Sequence, residues 1–478
     1  MHSAGFNRHP SLNPAEFFGR DWRKLLDVHL PFFEKNSIWR YSRARAADEP
    51  EQGWKIHVSA TILTAVEVLE TVAPFLESRR AFYKAPISLE ELKKLNAGIF
   101  YGYTQIGKFI TVYPPNDEQS VDLAAELHRL TCKMASPTIP FESRFKAGSS
   151  VYYRYGAFIL NQLKTENGDI VAAIRDGNGD WVPDLRDVGA AHPAWALNPF
   201  PVAEKHAAAD ESLLKKNFRI LRALAQRGKG GVYQALDLSG SFPRSCLLKE
   251  GRRNGEVEWD GRDGFWRVKH EATLLHLLRT AEINVPQIYS AFEAENNCYL
   301  ATEFIEGANL HDYLRKRKRR LNISRAIEFA VQLAEIIRRI HAAGWLWRDC
   351  KPANLIVAEN GELRPLDFEG ACLTAAPDSV SWNTLTVKSA DRREELHNQT
   401  TATVDLYALG AIIYLLFEGD LPPAARDEVP AMSRRNVPPM IKNLVLKLLN
   451  PLTAKGLNAE SVELKLRKLQ REQQAGRI

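Results

Sequence analysis

Among the polar residues of one short stretch, Trp347 to Gly370, are Asp349, Lys351, Asn354 and Asp367. Carboxylates can take a proton or hold a divalent cation, an amide oxygen is a second hard ligand, and a lysine can stand against a phosphoryl group. Side chains of these types could therefore do phosphoryl chemistry. A lone Asp-Lys-Asn triplet is surface polarity by about three to one. Here the apolar strand Leu355 to Val357 follows the triplet, and eighteen positions separate the two aspartates, as a hairpin of two short strands requires. A second set is basic and sits on predicted strands or at element ends: Lys55, His57, Lys84, Lys108, Arg144 and Arg154. Taken singly, each reads as a solvated polar side chain.

The run Trp-Arg-Asp-Cys-Lys-Pro-Ala-Asn-Leu-Ile-Val and the later Asp-Phe-Glu-Gly resemble the catalytic and metal-binding loops of the protein kinases. The resemblance implies that Asp349 accepts a substrate hydroxyl proton, that Lys351 steadies the transferring phosphoryl group, and that Asn354 and Asp367 hold Mg²⁺ ions bridging the phosphates of ATP. It extends upstream. Gly228, Gly230 and Val232 lie where a Gly-rich loop covers the nucleotide, Lys249 matches the strand lysine on the α- and β-phosphates, and Glu271 is its helix partner. Glu303, in Thr-Glu-Phe, marks the hinge whose backbone meets the adenine edge, and Asp405 matches the buried aspartate that braces the catalytic loop. There are departures. Ala225 and Arg227 stand at the first two glycine positions, Trp347 replaces a histidine, Glu369 replaces a glycine, and no Ala-Pro-Glu follows before Asp405.

Lys-Ile-His at 55–57, Lys84 after an aromatic pair, Gly107-Lys-Phe-Ile-Thr-Val-Tyr-Pro114 and Tyr152-Tyr-Arg-Tyr-Gly-Ala-Phe158 occur in the order found in the lyase domain of class III lanthipeptide synthetases, which these residues resemble. That domain is in turn similar to phosphothreonine lyases. The resemblance implies Lys55 as base and His57 as acid for eliminating phosphate, with Lys84, Lys108, Arg144 and Arg154 as the phosphate cradle and Tyr113 and Tyr155 in support. Lys146 is a rival to Arg144. β-Elimination needs a base for the Cα proton, an acid for the leaving oxygen, and cations around the phosphate.

The elements that must carry these groups are legible in the hydrophobic pattern. Trp54 to Ser59 alternates, which predicts a half-buried strand with Lys55 and His57 on one face, about 7 Å apart. Ile62, Val66, Leu69, Val72 and Leu76 predict a helix, Ser88 and Glu91 a capped helix start, and 107–114 another strand. Leu274, Leu275 and Leu278 give the helix of Glu271 an apolar face, and 323–342 leads helically into the catalytic loop. The run Asp176-Gly-Asn-Gly-Asp180 fails as a calcium loop, because Trp181 stands where a glycine is needed and Asp187 at the closing position. A hairpin turn is the better reading. Arg315 to Arg320 reads as a solvated basic run, with an acidic peptide contact as the alternative. An α+β chain is expected: a lead-in over 1–53 without clear periodicity, a phosphothreonine-lyase-like domain with connector over 54–205, and a bilobal protein-kinase-like domain over 206–478.

At 478 residues, 45% apolar and 26% charged, the composition is that of a globular protein with several domains. A net charge of +6 is too diffuse to argue for nucleic acid. Five scattered cysteines suit a reducing cytoplasm, and the longest apolar run, Leu406 to Phe417, is too short to span a membrane. Together the two sites imply a cytoplasmic dehydratase: Ser or Thr of a ribosomally made precursor peptide is phosphorylated by ATP with Mg²⁺, then loses phosphate to give dehydroalanine or dehydrobutyrine. The synthetases continue into a cyclase domain for which this chain has no room, so thioether closure would fall to a separate cyclase, proceed unaided, or not occur. The alternatives are a regulatory Ser/Thr kinase with a phosphate-binding N-terminal domain, and a pseudokinase scaffold.

Overall fold

The computed structural model describes residues 14–186, 192–201, 212–317, 320–376, 402–423, 432–434, 436–450 and 456–475. The junction expected near residue 205, Asp187, and part of the basic run at 318–319 lie outside them.

The first domain is an antiparallel sheet backed by helices. Its elements are α1 (Pro14–His29), β1 (Phe32–Phe33), β2 (Trp39–Tyr41), β3 (Gln52–Val58), α2 (Ala65–Ser78), β4 (Phe82–Pro86), α3 (Leu89–Ala97), β5 (Ile110–Tyr113), α4 (Asp117–Thr131), β6 (Ser143–Arg144) and β7 (Val151–Ala157). The seven strands run in the order β1-β2-β4-β5-β3-β7-β6. Period two decides which residues go where. Trp54, Ile56 and Val58 of β3 point into the helix-covered core with Leu69, Val72 and Phe109, so Lys55 and His57 point to the opposite face. Ser88 caps α3 by accepting from the Glu91 amide at 3.1 Å, and Asn116 caps α4. A small sheet follows from β8 (Gln162–Lys164), β9 (Ile170–Arg175) and β10 (Trp181–Pro183). Its β9–β10 turn is closed by Asp176, whose carboxylate accepts from the Asn178 and Asp180 amides at 2.9 Å each. That is the expected hairpin.

The lead-in expected over 1–53 is corrected by these strands. From Pro14 onward it belongs to the domain: Trp22, Leu26 and Leu30 are buried in the same core, and β2 pairs with β4 so that Tyr41 lies opposite Lys84. Two and three residues are too few for a strand to show period two.

The second domain has two lobes. The N-lobe comprises α5 (Leu213–Asn217), β11 (Phe218–Arg227), β12 (Gly230–Asp237), β13 (Arg244–Gly251), α6 (Gly264–Thr280), β14 (Ile288–Ala294) and β15 (Asn297–Glu303), with strand order β11-β12-β13-β15-β14. The C-lobe begins with β16 (Gly307–Asn309), α7 (Leu310–Arg315), α8 (Ile323–Ala342) and β17 (Trp345–Leu346). It continues through β18 (Leu355–Ala358), β19 (Leu363–Pro365), β20 (Cys372–Leu373), α9 (Thr403–Glu418), α10 (Pro439–Leu448) and α11 (Ala459–Gln474). Helix α9 carries the longest apolar run and is buried on every side from Asp405 to Glu418. One core joins Leu274, Leu275 and Leu278 of α6 to Phe329 of α8 and Ile412 of α9. Among the described residues no helix is long and apolar enough to cross a membrane.

Two candidate active sites

The first site opens on the far face of the first sheet. Strand pairing sets Lys55 opposite Arg154, His57 opposite Thr111, and Lys84 opposite Thr111 on the next strand, so four cationic or ionisable groups share one face. Lys108, just before β5, completes the set. Trp39, Lys55, His57, Lys84, Gln105, Lys108, Thr111, Tyr113, Arg154 and Arg186 line a cavity of about 100 Å³. This is smaller than the ~300–1,000 Å³ of a drug-sized ligand and suits one anionic group.

Each cation is held differently. Arg154 pairs with the buried Asp184 and donates to the Leu185 carbonyl at 3.3 Å. A Cβ on Gly156 would fall 2.8 Å from that guanidinium, so glycine there makes its room. Lys108 Nζ lies 2.7 Å from Glu142 Oε1, while His57 Nδ1 lies 2.6 Å from Oε2 of the same carboxylate. Lys84 Nζ sits 4.2 Å from the Trp39 ring centroid. Lys55 is buried and has no hydrogen-bond or ion-pair partner among the described residues.

Burial first, then Arg154, pulls the Lys55 pKa well below its ordinary value. Burial and then Lys108 bring Lys84 to about 8. Burial brings His57 to about 4 against the opposing pull of Glu142. Glu142 itself is held well below the carboxylate range: His57 and Lys108 outweigh its own burial. The face thus holds an amine whose protonated form is disfavoured beside the fixed positive charge of Arg154. That is the condition under which a lysine can remove a proton and an anion is still welcome.

Two expected members are not there. Arg144 is exposed on β6, with its Nε donating to the Tyr152 hydroxyl at 2.7 Å, and does not line the cavity. Its rival Lys146 packs over Phe145. Tyr155 pairs with Trp54 and so faces the core side, where the Gln52 amide donates to it at 3.2 Å. Three others had no motif to announce them. Glu142 and Asp184 are lone acids in loops, and Arg186 follows a hairpin. Only an unpaired excess of lysines on one face hints that buried carboxylates must sit nearby.

The second site lies between the two kinase-like lobes. Lys249 of β13 reaches Glu271 of α6 at 2.8 and 2.7 Å and Asp367 at 3.3 Å. Burial lowers the Lys249 pKa, but Asp367 and Glu271 outweigh it and the ammonium stays charged. Asp349 is gripped by Lys351 at 2.9 and 2.7 Å and by the Asn354 amide at 2.9 Å. Burial raises its pKa to about 6. Asp367 goes the other way: Lys249, then Lys229, overcome burial and hold it ionised. With the Asn354 amide nitrogen spent on Asp349, its oxygen and the Asp367 carboxylate remain as two hard oxygen donors. Such a pair fits Mg²⁺, which takes its other ligands from phosphates and water.

Asp405 accepts from the Trp347 and Arg348 amides at 2.8 and 2.7 Å and lies 2.8 Å from His341 Nε2, which fixes the loop ahead of Asp349. Trp347 supplies a brace in place of a histidine. Its indole donates to the Asp367 carbonyl at 3.1 Å and stacks on Phe368 with centroids 5.3 Å apart. Arg348 and Asp367 both have positive φ, at 68° and 62°, so these contacts hold strained backbone in place.

Arg227 pairs with Gly230 to close the hairpin between β11 and β12, with Gly228 and Lys229 at its tip and Val232 opposite Lys249. The Glu303 carboxylate is bound by Arg364 at 2.9 Å and its amide by the Gln287 carbonyl at 2.8 Å, which leaves only its backbone carbonyl for a nucleotide. Among the described residues no three His, Cys, Asp or Glu side chains cluster as a metal site.

Residues 32–212 match the model of the RamC N-terminal domain and residues 243–463 that of the protein kinase domain. The chain is 28% identical over 393 residues to a probable SapB synthase of Streptomyces coelicolor, covering 79% of this chain and 41% of that protein. It is 25% identical over 209 residues to the probable serine/threonine-protein kinase PknB of Lactococcus lactis, covering 43% of this chain and 32% of that protein. To CDPK-related kinase 8 of Arabidopsis thaliana it is 30% identical over 164 residues, covering 34% of this chain and 27% of that one. The chain thus spans about two fifths of the SapB synthase and about a third or less of these two kinases. A match over 393 residues is longer than either domain and must run through both. The chain joins a RamC N-terminal domain to a protein kinase domain, the lyase-and-kinase order of the class III lanthipeptide synthetases.

Proposed function

We propose that this chain is a peptide serine/threonine dehydratase that phosphorylates a ribosomally made precursor peptide and then eliminates the phosphate. The observation that carries the reading is the pairing, in one chain, of the Lys249–Glu271 and Asp349–Lys351 contacts of a kinase site with a small cationic cavity holding a lysine that has no hydrogen-bond or ion-pair partner among the described residues. In the kinase site Asp349 takes the hydroxyl proton of Ser or Thr as the oxygen attacks, and Lys351 balances the transferring phosphoryl group. Asn354 and Asp367 would hold Mg²⁺, which neutralises phosphate charge on ATP when bound. Gly228, Gly230, Val232 and the Glu303 carbonyl would enclose the nucleotide.

In the first site Lys84, Lys108 and Arg154, joined by Arg186, hold the phosphate of the phosphorylated residue. Lys55 then takes the Cα proton, the electron pair forms the Cα–Cβ double bond, and the Cβ–O bond breaks with its pair leaving on phosphate. His57 gives that oxygen its proton. An anionic phosphate beside the imidazole raises its pKa, so binding itself loads the acid.

Incubating the chain with ATP, Mg²⁺ and the precursor peptide encoded beside its gene should lower the peptide mass by one water per modified residue. Stable phosphopeptide with no such loss, at sites known to be phosphorylated, would overturn the reading. A regulatory kinase is the second reading: burial disfavours the protonated His57 imidazole, bringing it to about 4 while its Nδ1 lies 2.6 Å from Glu142. A domain that only bound phosphate would need no acid.

A further inference from the structure

We propose that Lys229, at the tip of the β11–β12 hairpin, is a contact for the terminal phosphate of the nucleotide, and that the RamC N-terminal domain aims it. The proposal rests on the kinase reading of this site. Lys229 reaches across from the phosphate loop to Glu369, two residues beyond Asp367, and forms an ion pair with it. The lysine side chain is 25% exposed and the glutamate 9%. The other two lysines of the site are already committed. Lys249 bonds Glu271 and Asp367, and Lys351 bonds Asp349. Lys229 alone of the three is held by a carboxylate that has no role in base or metal chemistry.

The backbone at Lys229 is fixed from several sides. The Gly228 amide donates to the Ala97 carbonyl at 3.0 Å, at the end of α3 in the other domain. A Cβ on Gly228 would fall 1.7 Å from the Asn96 carbonyl oxygen. The Lys229 carbonyl accepts from the Arg252 amide at 2.8 Å, and a Cβ on Gly264 would fall 1.8 Å from that same carbonyl oxygen. A Cβ on Gly230 would meet the Glu250 carbonyl at 1.8 Å. Three glycines are thus required by the approach of other chain segments to this tip.

Those segments are themselves tied to the first domain. Glu258 lies 2.7 Å from Lys93, Asn254 donates to the Ser136 carbonyl at 3.3 Å, and Trp259 packs on the first core. With its backbone clamped, Lys229 can move only its side chain, whose ammonium already lies on the Asp367 side of the cleft. A phosphate oxygen arriving there is a more highly charged partner than Glu369 and would take the lysine from it.

The test is calorimetric titration of the full chain with Mg²⁺ and either ADP or a non-hydrolysable ATP analogue. Wild type should bind the triphosphate more tightly than ADP. Lys229→Met should weaken triphosphate binding by about tenfold or more, the worth of one charge-assisted hydrogen bond, with ADP within about threefold. Lys229→Arg should retain the preference, and Glu369→Gln should bind the triphosphate at least as tightly as wild type, because it frees the lysine. Triphosphate binding by Lys229→Met equal to that of wild type would overturn the proposal. So would a loss in Glu369→Gln, which decides the matter if the methionine variant melts early. If wild type bound no nucleotide at all, the kinase reading itself would fall with it.

Discussion

At the residue scale both proposed reactions would depend on groups moved from their ordinary protonation. Lys55 must be neutral to take a proton, and burial beside Arg154 lowers its pKa. The neutral fraction is gained as pH rises through that lowered value, so elimination from a phosphoserine peptide should level off well below pH 10. A rate still climbing toward the ordinary lysine pKa of about 10.4 would exclude Lys55 as the base. Asp349 must be ionised to accept the hydroxyl proton, and burial brings it to about 6. Phosphorylation should therefore fall as pH drops through about 6, whereas an unperturbed aspartate would hold its charge to about 4. The pH profile of phosphate incorporation, in a Lys55→Ala background so that nothing is removed again, reads this limb directly. The two limbs belong to different reactions and should separate when measured on separate substrates.

At the scale of elements, Trp347 shows how a substitution in a motif can keep its structural purpose. Its ring is fully buried, stacks on Phe368 and bonds the Asp367 carbonyl. Trp347→Ala should cost about 3–5 kcal/mol of stability in denaturant titration. Trp347→Phe keeps the stacking and loses the hydrogen bond, so it should cost about 1 kcal/mol and slow phosphorylation more than it lowers stability. A phenylalanine variant of undiminished rate would show that the bond is idle. On the sheet of the first domain, Gly156→Ala should push Arg154 off Asp184 and weaken phosphate binding, as titration with inorganic phosphate would reveal. Much of this was legible in the chain. Alternation in β3 placed Lys55 and His57 on one face, and the spacing around Asp349 marked its loop. What was not legible came from partners far away in sequence. Glu142 meets His57 across 85 positions, and Arg144 fell outside because a two-residue strand carries no period by which to aim it. Strands β1 and β2 were hidden for the same reason, too short to alternate.

At the scale of the molecule, the two domains touch where it matters to both. Asn96 donates to the Ala60 carbonyl at 3.0 Å and accepts from the Gly107 amide at 3.1 Å, next to Lys108 of the first site. The backbone carbonyls of Asn96 and Ala97 in turn seat Gly228 of the phosphate loop. Both sites thus lean on the end of α3. Gly228→Ala, which cannot fit against Asn96, should lower the melting temperature and weaken nucleotide binding together. A variant that binds nucleotide as wild type does would show that this seat is incidental. On the proposed function the first domain does chemistry on a phosphate and does not merely hold one. The most direct measurement is the intact mass of a synthetic phosphoserine peptide, carrying the precursor leader, after incubation with wild type and with Lys55→Ala in the absence of ATP. The peptide should lose phosphoric acid with wild type and lose none with the variant. An unchanged mass with both, while ATP binding remains intact, would contradict this and leave a kinase with a phosphate-binding domain.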